Sequence, residues 1–201
     1  MKTKTESKRQ AIIKAAAEVF REVGFDRASM SDIRARVGGS KATLYNYFPS
    51  KEKLFFEVMH DPKELELEDI VRTLNPAAAD LRQELLDFGQ KFLAVLYSTE
   101  TIAIRRLTIA ESRHSDIGRL SFEQGMVPIE KRVAEFLRKV MKRGVLRTAD
   151  SKIAAIHLLS LLESELLQRV LLGVIASVKP ESLSGPVRRA VEAFLSGYER
   201  R

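Results

Sequence analysis

At 201 residues with a formal net charge of +7, the chain is long enough to bury a substantial core, and its basic balance points to a polyanionic partner. The absence of cysteine excludes disulfides, a thiolate nucleophile and cysteine-ligated zinc, leaving His60, His114 and His157 as the only imidazoles. No run approaches the roughly 18 apolar residues needed to span a bilayer, and no short apolar segment with a cleavage site follows the basic first residues. The chain is therefore expected to be cytoplasmic.

Taken in order, Ile12, Ala16, Phe20 and Val23 recur at helical spacing with Ile13 and Ala17 beside them, and Gly24 supplies a stop. Ser29 followed by Asp32 matches a capping box, opening a short second helix from about Met30 to Val37. Gly38-Gly39 then forms a tight turn. Ser40 caps a third helix, and Pro49 ends it by biasing Phe48 away from the helical region. Ser50 caps a fourth helix with Leu54, Phe55, Val58 and Met59 as its apolar stripe. Helix, glycine turn and helix together make the helix-turn-helix layout, in which the second of the pair lies in the major groove. Of the 34 Lys and Arg residues, 12 fall in residues 1–53 against 6 Asp and Glu, so nearly all the excess positive charge shares this segment.

Beyond Asp61-Pro62 the apolar spacing stays helical. Helices are predicted near residues 62–74, 80–98, 100–113, 116–123, 127–143, 151–174 and 186–200, with Asp150 and Ser184 as caps. No stretch alternates with period two, so the fold class is all-α: an N-terminal three-helix helix-turn-helix domain over residues 1–53, then a C-terminal helical bundle over residues 54–201. The segment around Leu158, Leu162, Leu166 and Val170 is apolar on more than one face, which requires burial on most faces, at a bundle centre or a subunit interface. With Val187, Val191, Phe194 and Leu195 on the last helix, it is expected to form an isologous homodimer interface.

The motifs Ala16-Ala-Glu-Val-Phe20, Gly24-Phe25, Ser29-Met-Ser-Asp-Ile33, Gly38 and Leu44-Tyr-Asn-Tyr-Phe-Pro-Ser-Lys-Glu-Lys-Leu-Phe55 resemble the TetR (tetracycline-repressor-like) family of transcriptional regulators. The resemblance is specific from about Ala11 to Phe55 and thereafter rests on helix count and the apolar pair at the end. It implies a dimer that binds a palindromic operator in double-stranded DNA, most members being repressors, released when a small molecule enters a C-terminal pocket. It places Ser29 and Ser31 near a phosphate, Lys41, Ala42 and Thr43 against base edges, and Tyr45, Tyr47 and Lys51 on phosphates. Lys41 and Thr43 have hydrogen-bonding groups for a base edge, and Ala42 suits a thymine methyl. The basic residues Lys2, Lys4, Lys8 and Arg9 could add arm contacts. The turn departs from the family pattern, because Gly39 stands where an anchoring apolar side chain is usual.

Phe88, Phe92, Leu96, Ile109, Phe122 and Met126 are candidates for an effector pocket or for ordinary core, two roles the sequence does not separate. One of Arg105 and Arg106 could turn inward toward an acidic effector; the preferred reading leaves both solvated or paired with Glu100 and Glu111. His157, within an apolar helix, reads as a core or interface residue. No cofactor is implied. The competing class is a ferritin-like metalloprotein: Glu57/His60 and Glu111/His114 are both Glu-x-x-His pairs, with Glu84 and Glu163 as nominal further ligands. The positions of His60 and His114 at helix ends count against it, and no serine or aspartate stands in a catalytic arrangement with His157.

Overall fold

In a computed structural model of the chain, described over residues 6–113 and 115–200 apart from the side chains of Arg21, Asp26, residues 59–65 and Glu100, eleven α-helices carry the architecture. They are α1 (Glu6–Arg27), α2 (Met30–Val37), α3 (Lys41–Tyr47), α4 (Lys51–Arg72), α5 (Leu81–Leu96), α6 (Thr99–Glu111), α7 (Ile117–Ser121), α8 (Val127–Lys142), α9 (Ser151–Glu163), α10 (Leu167–Leu171) and α11 (Ser184–Tyr198). A π-turn over Phe122–Met126 joins α7 to α8, and a 3-10 turn over Pro180–Leu183 leads into α11. No strand forms among the described residues beyond a lone antiparallel bridge between Leu146 and Glu199, and no helix among them is long and apolar enough to cross a membrane.

Local chemistry sets most of the boundaries. The side chains of Ser29, Ser40, Ser50, Asp80 and Asp150 each accept a backbone N–H from the first turn that follows, satisfying donors that a helix start leaves unpaired. Helix α1 is interrupted at Gly24, whose φ of 79° is non-helical, and resumes for one turn to Arg27. Three boundaries differ from expectation. Helix α4 runs unbroken through Pro62, so the separate helix predicted from residue 62 is the second half of α4; a proline removes a single ladder hydrogen bond, which packing at both ends of the helix outweighs. The helix predicted over 151–174 is two, parted at Ser164–Leu166. Ser184 is the first residue of α11 rather than its cap, because the preceding 3-10 turn already begins the winding.

Two apolar clusters form the core. The N-terminal one gathers Ile12, Ala16 and Phe20 from α1, Ile33 from α2, Leu44 from α3, Phe48 just after it, and Leu54 and Phe55 from α4. Ile117 of α7, 1% exposed, completes it from far along the chain. The larger cluster joins Leu67 and Val71 of α4 to Phe92, Val133, Leu137, Leu158, Leu162, Val187, Val191 and Phe194. The boundary expected after residue 53 thus falls inside α4, whose first turns belong to one cluster and whose last turns belong to the other. On α8, Ile129, Val133, Phe136, Leu137 and Val140 bury one stripe while Lys131, Arg132, Glu135 and Arg138 face solvent.

The apolar residues of α9 to α11 require a correction. Leu158, Leu162, Val170, Val187, Val191, Phe194 and Leu195 are buried within the chain itself, and Leu166 packs against the same cluster. The neighbouring helices α5, α8 and α11 already cover these side chains, so a second subunit cannot be what buries them. What α9 leaves uncovered is its opposite side, with Ile153 46% and Ile156 41% exposed.

Gly89 lets α5 approach α9 and α11 closely. A Cβ there would lie 2.8 Å from both Leu162 Cδ2 and Val187 Cγ1, which real contacts do not reach. Gly89→Val is expected to cost ~1–3 kcal/mol by overpacking, read as a lowered urea midpoint with an unchanged slope; a wild-type midpoint would show that the helices part freely at this crossing.

Candidate nucleic-acid interface and ligand cavity

The start of α2 is a reciprocal cap: Asp32 N–H donates to Ser29 Oγ at 3.2 Å, and Ser29 N–H donates to Asp32 Oδ2 at 3.0 Å. The Ser29 hydroxyl, then its N–H, hold the Asp32 carboxyl below the usual carboxylate range. Ser29 and Ser31 are both exposed at this helix start, where unpaired N–H groups favour an anion.

On α3, Leu44 and Phe48 are each 2% exposed and fix the helix to the N-terminal cluster. The opposite face presents Lys41, Ala42, Tyr45 and Asn46 to solvent, with Thr43 and Tyr47 half-buried beside them. The Thr43 hydroxyl lies 2.9 Å from Ser40 Oγ, which also accepts the Thr43 N–H at 3.0 Å, so the cap orients this side chain. Lys41 Nζ lies 5.6 Å from the centre of the Tyr45 ring. Asn46, three residues after Thr43 and four after Ala42, shares their side of the helix and adds an exposed amide with both donor and acceptor, a spacing legible in the sequence.

Lys51 opens α4. Its ammonium donates to the Phe25 carbonyl at 2.8 Å and sits 4.2 Å from the centre of the Phe25 ring, so one of its donors ties α4 to the end of α1. The expected basic arm is also partly structural. Lys8 and Arg9 belong to α1, while Lys2 and Lys4 lie outside the described residues. Arg9 pairs with Glu57, and Lys8 Nζ lies 3.4 Å and 3.5 Å from the Val37 and Gly38 carbonyls. That ammonium spans the turn where Gly38 and Gly39 have φ of 71° and 104°, a region side chains other than glycine avoid. The anchor missing at Gly39 has a counterpart in Lys8.

Arg36 is likewise committed, donating to both carboxylate oxygens of Glu22 at 2.7 Å. Exposed polar groups lie on one side of α3 and at the start of α2, while Arg36 is paired with α1 and Arg9 with α4.

In the second half of the molecule, α4, the end of α5, α6, α7, the π-turn and the start of α8 line a half-open cavity of about 370 Å³. Leu96, Arg105, Ile109, Phe122 and Met126 line it, as do Thr101, Thr108, Ser112 and Ser121. Phe88 and Phe92 do not. They stack on each other at 5.3 Å within the core, 2% and 0% exposed, because the α5 face that carries them turns toward α9 and α11. Arg105 also departs from expectation: it turns inward, its Nη1 lying 2.8 Å from Oε2 of Glu163 on α9. Arg106 donates to the carbonyls of Val170 and Leu171, capping the end of α10.

Three of the glutamates named for the metal reading have other partners. Glu57 pairs with Arg9, Glu84 accepts the Asn75 N–H at 2.8 Å, and Glu163 is taken by Arg105. The His60 side chain and His114 lie outside the described residues, and among those described no three His, Asp or Glu side chains converge. His157 Nδ1 lies 2.7 Å from the Tyr198 hydroxyl on α11, and the residue is exposed on the chain's own surface rather than in its core, the other of the two places expected for it being an interface.

Residues 12–58 match the family model for bacterial regulatory proteins of the tetR family, and residues 83–200 match that for the C-terminal domain of AefR-like transcriptional repressors. The second match alone covers more than half of the chain. The chain belongs to the TetR family. Its helix-turn-helix and the α5–α11 bundle are the two parts those models describe. Among solved structures, a TetR-family regulator from Mesorhizobium loti is 31% identical over 98% of this chain and 100% of its own, with a TM-score of 0.81. The flavonoid-responsive regulator FrrA is 32% identical over 98% and 100%, with a TM-score of 0.78. Curated relatives match over shorter stretches: the transcriptional repressor NicS of Pseudomonas putida is 38% identical over 79 residues, 39% of this chain and 34% of that protein. The chain thus spans about a third of that relative's length. Membership of the TetR family makes this a helix-turn-helix DNA-binding transcriptional regulator, and nothing in the comparisons favours the ferritin-like alternative.

Proposed function

We propose that this TetR-family protein is a homodimeric repressor that leaves a palindromic operator when a small molecule fills the cavity between α4, α6 and the π-turn. The observation that carries this reading is the shared wall. Phe122, Gly125 and Met126 line the cavity, while Gln124 of the same π-turn accepts a hydrogen bond from Lys53 Nζ of α4 at 2.7 Å. Ile117, one turn before, is buried in the N-terminal cluster. A ligand that displaces the π-turn therefore moves the seat of the DNA-binding unit, and two recognition helices must stay about 34 Å apart to meet successive major-groove faces. A coupling of ~1–3 kcal/mol suffices for release.

On DNA, Lys41, Ala42 and Thr43 face base edges with Asn46 beside them, and Ser29, Ser31, Tyr45, Tyr47 and Lys51 lie along the phosphates. The functional division follows: a DNA-binding unit through residue 53, and an effector-binding and dimerising unit over residues 54–201. The subunits meet on the outward side of α9, where Ile153 and Ile156 are exposed, rather than on its buried leucines. The name of FrrA, a flavonoid-responsive regulator, accords with control by a small molecule.

Selection of random DNA with the full chain is expected to enrich a palindrome. Thr43→Ala should then change preference at one base pair, by roughly 1–3 kcal/mol. Lys51→Ala should weaken all sequences alike and reduce the slope of log affinity against log salt by about 0.9 for a lost phosphate contact. Failure to enrich any site would overturn the reading.

A further inference from the structure

Arg105 is the one charged side chain among the described residues that line the cavity, and its charge is already matched. Glu163 reaches it from α9, and the residue is 7% exposed. Arg105 Nη1 and Glu163 Oε2 are sealed from solvent 2.8 Å apart, a close ion pair in which neither atom makes a well-directed hydrogen bond, to its partner or to any other group. The nearby Tyr97 hydroxyl, on a residue 4% exposed, donates at 3.5 Å to the Glu163 backbone carbonyl and leaves the carboxylate to Arg105.

We infer that Glu163 sets the charge selectivity of this cavity, and that the effector is an uncharged, largely apolar molecule bearing hydroxyl or carbonyl oxygens rather than an organic acid. This rests on the effector reading above. A carboxylate approaching Arg105 meets a second carboxylate already in contact with it, in surroundings where like charges repel far more than in water. An ammonium meets the guanidinium itself. A neutral molecule incurs neither penalty. It fills walls made by Leu67, Leu96, Ile104, Phe122 and Met126, and orients itself on the hydroxyls of Thr101, Thr108, Ser112 and Ser121. A mostly apolar site with a few polar fixing groups, at the small end of ligand pockets, suits such a compound.

A matched pair of probes tests this: 4-phenylphenol and biphenyl-4-carboxylate, titrated by calorimetry into the full chain. The wild type is expected to bind the phenol, and the acid at least about tenfold more weakly, a difference of roughly 1.4 kcal/mol. Glu163→Gln should gain about tenfold for the acid, because the guanidinium is no longer matched, with little change for the phenol. Arg105→Gln combined with Glu163→Gln should lose that gain. If either variant fails to fold, the wild-type comparison decides alone. A wild type that prefers the acid, or binds neither probe, overturns the inference, as does a Glu163→Gln protein that folds and gains nothing for the acid. The effector reading fails on a different result: no small molecule of any charge releases operator DNA. Release by a carboxylic acid would leave that reading standing and remove this one.

Discussion

Phe55→Ala is expected to destabilise the protein by ~3–5 kcal/mol and to abolish operator binding. Phe55 is 2% exposed and packs edge-on against Phe20 at 5.1 Å and Phe25 at 4.8 Å, with Phe20 and Phe25 themselves 5.8 Å apart. The three rings join α4 to both parts of α1, on either side of the break at Gly24. Lys51 rests on the Phe25 ring and holds its carbonyl, so the lost ring also loosens the start of α4, next to the end of α3. Against a total stability of about 5–15 kcal/mol, such a loss is large. Urea unfolding with DNA binding read in parallel is the check. Phe55→Leu, which keeps most of the apolar bulk, should recover most of both. An alanine variant with near-wild-type midpoint and affinity would show that these rings do not hold the recognition helix in place.

Arg105→Met is expected to cost about 3 kcal/mol, toward the lower end of the range for breaking a buried ion pair because the Arg105 side chain is 26% exposed. The loss comes from the partner left behind: Glu163 keeps a carboxylate in an apolar setting with no counter-ion. Replacing both, Arg105→Met with Glu163→Leu, should restore stability to the wild-type level or above, since two desolvation penalties disappear with the one attraction. A double-mutant cycle from urea midpoints measures the coupling. Equal losses in the single and double variants would show that packing of the Arg105 stem, and not its charge, matters here.

Where the sequence was legible, the cause was local. Ser29 with Asp32, Ser40 before Thr43 and Ser50 before Lys53 are contacts between residues three apart, so the chain itself carries the information. Leu44 and Phe48 share a helix face by the same short-range geometry. The misreadings are long-range. An all-round leucine pattern on α9 announces burial but not the covering element, and here α5, α8 and α11 supply it from within the chain. Arg105 finds its partner on α9, 58 residues on, not at the neighbouring Glu100 or Glu111. Phe88 and Phe92 have the same composition as a cavity wall; only the rotation of α5 decides which side they face. The π-turn carries no mark that distinguishes it from an ordinary helix, and Pro62 reads as a stop that packing at both ends of α4 overrides.

Ile117 has one more consequence, for dissecting the molecule. It enters the helix-turn-helix core from α7, so that core lacks a buried side chain whenever the polypeptide is cut between the two units, and cutting after residue 53 removes Leu54 and Phe55 as well. A fragment carrying only the recognition machinery would begin with a hole at its centre. The reading head of this regulator is not a detachable module, and its native shape depends on the part of the chain that builds the cavity.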